Sequence, residues 1–303
     1  MESSSSGTVD FKLAMPPMKV NPCEDVVGVP SSGNDEQDTS ALFNVQLIET
    51  EAYANEFADL RSFCNLAEIS FLNSLKSLDT AWKAKGGKSG ASFAKTRDNR
   101  FILKEISAME YNSFVDNIAP KYFDYIKSTN ETCLAKIFGF YEVRDELRKQ
   151  YVLVMENVLY GKDIEVLYDL KGKLERNLNL SDATHVRIEE EFMEDVKNEA
   201  LYISQPSKET LQAAVNRDAN FLKEVNIMDY SLLVGVDKTN HELVCGIIDY
   251  LVPYSALKKF EWFAKSCVMS LTCNNQEPTV LHPNAYMRRF TNFVEREFKC
   301  NHA

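Results

Sequence analysis

Apolar positions return along this chain with two distinct periods, and the switches between them lay out its elements. Phe57, Leu60, Phe63 and Cys64, then Leu66, Ile69, Phe71, Leu72 and Leu75, recur at helical spacing. The stretch AWKAKGGKSGASFAKTRDNRFILKEI changes to two short extended runs around a Gly-rich bend. Phe93 precedes the turn Arg97-Asp98-Asn99 and Phe101-Ile102-Leu103 follows it, the pattern of a β-hairpin. Residues 110–126 resume a helical period that Ala119-Pro120 interrupts or kinks, because proline offers no N–H to the preceding turn. Strands are predicted around Ile137–Tyr141 and Tyr151–Met155.

Beyond Gly161 the chain is more polar. Helices are predicted at Phe192–Val196 and Glu209–Val225, with IMDYSLLVGVD as a loop after the second. HELVCGIIDYL reads as a hydrophobic strand ending on an acid. A final helix from Tyr286 to Lys299 carries Phe290, Phe293, Val294 and Phe298 on one face. With strands early, helices late and a hinge near Val158–Gly161, the pattern predicts a two-lobed α+β protein.

Composition adds a boundary and removes several functions. Residues up to about Ser40 are rich in Ser, Pro, Gly and acids, so they cannot bury enough apolar area to offset ordering and read as a disordered tail. A formal charge of −11 over 303 residues argues against nucleic acid as the partner, since that surface is basic. No stretch approaches the roughly 20 apolar residues of a membrane span, and the start lacks a secretory pattern, which predicts a cytoplasmic chain. The 7 cysteines and 4 histidines are scattered without a C-x-x-C pair, so neither a disulfide framework nor a structural metal is expected.

Gly86-Gly87-Lys88-Ser89-Gly90 contains the GKS of a P-loop, but Trp82 occupies the place of that motif's first glycine. A loop between two strands can instead lay backbone N–H groups over nucleotide phosphates, and it can equally be an ordinary turn. Lys104, at the end of the apolar run Phe101–Leu103, sits where a phosphate-holding lysine would. Glu110 is its candidate partner, with Glu105 also near; the plain alternative is a snorkelling surface lysine. Three acids follow in apolar surroundings: Asp169 in YDLKG, Asp229 in IMDYSLL and Asp249 in GIIDYL. Any one of them serves a strand end as a cap. Three in order after a glycine loop and a lysine fit phosphoryl transfer, where one acid orients the hydroxyl and another holds Mg²⁺ on ATP. Neither H-R-D nor D-F-G occurs, which excludes an ordinary protein kinase.

Taken together, GGKSGASF, DNRFILKEI, VMEN, YDLKG, NIMDYSLLVGVD and VCGIIDYL resemble the phosphatidylinositol phosphate kinases, from about Ala54 to Phe298. Within that family the phosphatidylinositol-3-phosphate 5-kinases of the plant type are the most similar group. Those relatives carry a zinc-finger and a chaperonin-like domain ahead of the kinase, for which 303 residues leave no room. The resemblance implies a two-lobed, protein-kinase-like α+β fold with antiparallel sheets. Its expected divisions are a tail (1–42), an N-lobe with the ATP-covering hairpin (43–158) and a C-lobe with catalytic and activation segments (159–303). It assigns Gly86, Gly87, Lys88, Ser89 and Gly90 to the phosphate-covering loop and Lys104 to the ATP phosphates. Asp229 takes the catalytic position, Asp249 that of the metal ligand, and Lys171, beside Asp169, a place near the substrate or transferred phosphate. Lys258 and Lys259 fall on the activation segment that meets the anionic lipid surface.

Two departures lie on the substrate side. The family's arginine eight positions after the Asp of DLKG is Asn177, with Arg176 displaced by one as the candidate contact. After IID, residues 252–258 read VPYSALK instead of the relatives' Arg-x-(Tyr/Phe)-Thr-Trp-Asp-Lys. The implied function is ATP- and Mg²⁺-dependent phosphorylation of the 5-hydroxyl of phosphatidylinositol 3-phosphate, giving the 3,5-bisphosphate at endosomal or vacuolar membranes. The alternatives are another monophosphoinositide substrate, or a pseudokinase regulating a full-length paralogue. The expected partners are a phosphoinositide in a membrane and a paralogue or targeting protein.

Overall fold

The structure, a computed structural model, describes residues 10–20, 48–79, 92–144, 149–173, 186–198, 201–255 and 281–300. In chain order its elements begin with β1 (Lys12–Ala14), β2 (Ile48–Glu51), α1 (Ala54–Phe63), α2 (Glu68–Leu75), β3 (Leu78–Asp79), β4 (Phe93–Thr96) and β5 (Phe101–Ile106). Helix α3 (Ala108–Ser113), a π-helical turn (Phe114–Ile118) and α4 (Ala119–Ser128) lead into β6 (Ile137–Arg144), β7 (Lys149–Glu156) and β8 (Val166–Leu170). Next come α5 (Glu189–Asn198), α6 (Gln205–Glu224), β9 (Ile227–Met228), β10 (Ser231–Asp237), β11 (Glu242–Ile248), β12 (Val252–Pro253) and α7 (Pro283–Glu297). The fold is α+β. It divides into two compact units, Pro17–Glu131 with Ala135–Gly161, and Met1–Pro16 with Thr132–Leu134 and Lys162–Ala303.

The first unit is a six-stranded antiparallel sheet in the order β2-β6-β7-β5-β4-β3. The predicted hairpin is β4–β5, and its turn closes on Asp98, which accepts from Ser74 and Thr96 hydroxyls at 2.6 Å each. Asn99 takes the left-handed conformation that such a turn requires, a region asparagine enters more readily than most side chains. Aromatic residues fill the core: Phe101 stands edge-on to both Phe71 and Phe138, and Phe114 stacks on Phe140. The buried Lys136 ammonium is paired with Glu156 at 2.7 Å, which offsets the cost of taking either charge out of water. The helical break predicted at Ala119-Pro120 is real. Pro120 cannot donate to the turn before it, and the backbone widens to a π-turn over Phe114–Ile118 before α4 restarts with that proline in its first turn.

The second unit is built on the four-stranded sheet β1-β11-β10-β8, with the two-stranded β12-β9 beside it. Leu232, Val234 and Val236 of β10 and Leu243, Cys245 and Ile247 of β11 are fully buried, and α6 and α7 pack on each other. Three expectations change here. The segment IMDYSLLVGVD is not a loop but strands β9 and β10, joined through Asp229 and Tyr230; the alternating buried Leu and Val secure β10 between two partners. YDL, which no period in the sequence marks as a strand, is the end of edge strand β8.

The third change concerns the tail, which is ordered at residues 10–20. Phe11 is buried and its ring stacks on His241 at 3.8 Å, while Lys12–Ala14 pair with Glu242–Val244. A three-residue strand is too short to stand out by pattern, and its order comes from that distant partner. The β1–β11 pairing is parallel, added to strand pairings that are otherwise antiparallel, as expected.

Candidate functional site

Lys104 lies on β5 between Phe93 of β4 and Leu153 of β7, and its side chain is 9% exposed. An ammonium so enclosed needs an anion, and Glu110 Oε1 stands 3.7 Å from Nζ. Glu110 is itself fixed. Ser107 caps α3 by accepting from the Glu110 amide at 3.2 Å, and Glu110 Oε2 accepts from the Ser107 amide at 2.9 Å, a reciprocal capping box. Ser-x-x-Glu ahead of a helix is legible in sequence, and it selects Glu110 over Glu105. The segment that holds Gly86, Gly87, Lys88, Ser89 and Gly90 links the paired strands β3 and β4, while those five residues lie outside the described ones.

In the second unit strand register gathers the other candidates. Ser231 of β10 faces Ile248 of β11, and Leu232 faces Leu170 of β8. Lys171, Asp229 and Asp249 therefore all fall at one end of the sheet. Lys171 Nζ donates to the Asp229 backbone oxygen at 2.8 Å and stands 3.0 Å from its Oδ2. Asp229 and Asp249 both adopt positive φ, 62° and 59°, at the strand exits, and both are exposed. Asp169 sits on β8 opposite Leu233, with its amide donating to the Arg187 carbonyl at 2.9 Å. Arg176, Lys258 and Lys259 lie outside the described residues.

Burial keeps the Tyr286 phenol far above its ordinary pKa, and the negative charge of Asp229, then that of Asp169, pushes the same way. Its hydroxyl therefore stays a donor, and it donates to the Tyr230 carbonyl next to Asp229. Tyr286 marks a contact that sequence reading missed. So does Glu189, fully buried at the start of α5, whose Oε1 accepts from the Lys171 and Lys173 amides at 2.6 and 3.0 Å. Among the described residues no three His, Cys, Asp or Glu side chains converge on a metal-sized site. Exposed carboxylates such as Asp249 still suit Mg²⁺, which takes one or two of them and draws its other ligands from phosphates and water.

A buried lysine–glutamate pair, and a lysine–aspartate pair beside a second exposed acid, are parts that phosphoryl transfer uses. The sequence profile described as phosphatidylinositol-4-phosphate 5-kinase matches residues 76–243 and 240–297. The chain belongs to that family. FAB1D of Arabidopsis thaliana is 43% identical over 263 residues, which is 82% of this chain and 18% of the relative. The 1-phosphatidylinositol-3-phosphate 5-kinase FAB1B of the same plant is 39% identical over 261 residues, 82% of this chain and 14% of the relative. The 1-phosphatidylinositol 3-phosphate 5-kinase of Homo sapiens is 39% identical over 278 residues, 86% of this chain and 13% of the relative. The chain thus spans under a fifth of the length of these relatives. In this kinase family member, matched residues include Lys104, Glu110, Asp169, Lys171, Asp229 and Asp249.

Proposed function

We propose that this chain transfers the γ-phosphoryl group of ATP to the 5-hydroxyl of phosphatidylinositol 3-phosphate, forming phosphatidylinositol 3,5-bisphosphate. The observation that carries the reading is the Lys171–Asp229 pair at the sheet end that also bears Asp249, in a kinase-family chain whose relatives are named for that activity. Residues 43–158 supply the phosphate grip, through Lys104 held by Glu110 and the glycine segment Gly86–Gly90. Residues 159–303 supply the acids. Asp229 orients the lipid hydroxyl and takes its proton as the new O–P bond forms and the bond to the β-phosphate oxygen breaks. Lys171 balances charge on the phosphoryl oxygens. Asp169, beside Lys171, belongs to the same catalytic group, and Asp249 would hold Mg²⁺, which neutralises the triphosphate. Lys258, Lys259 and Arg176 contact the anionic lipid surface, and the work is done peripherally at endosomal or vacuolar membranes.

A second reading has one observation in its favour. Asn177 and the segment VPYSALK replace groups that the resembling family uses on the substrate side. A lost charged hydrogen bond costs about 1.5–3 kcal/mol, or one to two decades of affinity. On that reading the chain binds nucleotide and regulates a full-length paralogue. Vesicles containing each monophosphoinositide in turn, incubated with radiolabelled ATP and followed by headgroup identification, separate the two. Label at the 5-position of the 3-phosphate lipid is the expected result. Mg²⁺-dependent nucleotide binding with no labelled lipid selects the regulator, and label on the 4-phosphate lipid alone overturns the substrate.

A further inference from the structure

Lys171 and Asp229 sit on separate turns, and each turn makes hydrogen bonds with side chains elsewhere in the chain. Lys171 is one residue past β8, ahead of Gly172 at φ 67°. Both polar groups of its backbone go to side chains. The amide donates to Glu189 Oε1 at 2.6 Å, and the carbonyl accepts from Arg289 Nη2 at 3.1 Å. Glu189 Oε1 also takes the Lys173 amide, so one interior carboxylate ties down both sides of Gly172. Charge-assisted bonds of this kind are roughly twice as strong as neutral ones. Helix α5 is in turn fastened to β8: Arg187, just ahead of the helix, exchanges backbone bonds with Leu167 and Asp169 at 2.9 Å each, and Asp195 within it accepts the Tyr168 hydroxyl at 2.7 Å.

The Asp229 turn is held from α7. Tyr286 donates to the Tyr230 carbonyl, and Arg289, one turn further on, lies over the Tyr286 ring at 4.7 Å while reaching the Lys171 carbonyl. Residues three apart share a helix face, so a single face of α7 grips both turns at once. We propose that Glu189, Tyr286 and Arg289 are positioning residues for the reaction: they fix the Lys171–Asp229 separation by holding the backbone under each partner. The proposal rests on the kinase reading of that pair. A misplacement of about 1 Å in such a pair can cost a hundredfold in rate, while nucleotide binding is left alone.

The test uses the full chain as Glu189→Ala, Glu189→Gln and Tyr286→Phe variants. Steady-state turnover is measured on phosphatidylcholine vesicles carrying phosphatidylinositol 3-phosphate, and amide hydrogen exchange is followed at residues 171–173. Glu189→Ala and Tyr286→Phe should each lower kcat ten- to a hundredfold, with KM for ATP changed less than twofold. Glu189→Gln keeps an acceptor oxygen and should recover to within about fivefold of wild type, and only Glu189→Ala should speed exchange at Lys171 and Lys173. Wild-type kcat in folded Glu189→Ala and Tyr286→Phe overturns the proposal. So does a loss of kcat with a parallel rise in KM and no rescue by glutamine, which marks general loosening. If the wild-type chain itself shows no turnover, the kinase reading fails separately, and unchanged exchange at Lys171 and Lys173 in Glu189→Ala then overturns the anchoring as well.

Discussion

An amine on an apolar strand keeps its charge only if something answers it, and for Lys104 that is Glu110. Lys104→Ala should abolish turnover while melting close to wild type, because Glu110 retains both bonds to Ser107. Asp249→Ala should likewise abolish turnover, and both variants are checked by lipid phosphorylation beside a thermal melt. Asp229→Asn should lose at least about a hundredfold in rate, as expected when a general base is removed, with Mg-ATP affinity retained. Calorimetric titration with nucleotide reads that directly; a proportional loss of affinity would move Asp229 to a metal role. The lysine, its glutamate and the acids were legible because side chains of those types in apolar runs are conspicuous. Glu189 and Tyr286 were not, because they act on backbone N–H and C=O groups, and every residue has those. Arg289 shows in the sequence only as half of the basic pair Arg288-Arg289, which reads as part of a membrane-facing patch, whereas its guanidinium reaches the Lys171 carbonyl.

At the scale of elements, the turn from β8 lies close against the backbone of α7. A Cβ on Gly172 would stand 3.1 Å from the Arg289 carbonyl oxygen and the Phe290 Cα, both backbone atoms, at a φ that side chains avoid. Gly172→Ala should therefore destabilise by about 1–3 kcal/mol, measured by denaturant unfolding. The β10–β11 turn carries a pH response. The Asn240 side-chain amide, with backbone N–H groups of Asn240 and Asp163, holds the Asp237 carboxyl below its usual value of 3.8. A folded-state value below the unfolded one adds stability above about pH 4, and that contribution disappears as pH falls through the lowered value. Melting temperature against pH should drop less steeply on the acid side in Asp237→Asn than in wild type. Elements themselves divided along the same line. Strands flanked by clear turns are legible as apolar runs, whereas the segment of β9 and β10 reads as a loop because Asn226 and Asp229, each at positive φ, flank β9 and stand ahead of β10 with residues typical of turns. β1 and β8 owe their order to register with remote partners, which no local period records.

For the molecule as a whole, a charge of −11 opposes an anionic bilayer, so the lipid contact proposed above has to be made by a local basic patch. Lys258 and Lys259 lie outside the described residues, and their assignment stands on the sequence. Replacing both with glutamate should weaken vesicle co-sedimentation at low salt and leave nucleotide affinity unchanged, since attraction beyond about 8 Å is screened at physiological ionic strength. Sedimentation equal to wild type at low salt would remove the pair from the membrane contact. The interleaving of the two units bears on how the chain is made. Asp218, fully buried, binds the Thr132 hydroxyl at 2.8 Å and the Cys133 amide at 2.6 Å, and β1 pairs with β11. A ribosome that has delivered residues up to Gly161 has supplied everything the sheet of β2 to β7 needs. It has also released β1 and Thr132–Leu134, whose partners do not yet exist. Those early segments wait, unpaired, for the last third of translation. A fragment cut at Lys162 would have the opposite defect, a buried carboxylate and a strand edge with nothing to meet them. The second unit cannot be cut out as one continuous stretch, because along the chain its pieces precede, interrupt and follow the first.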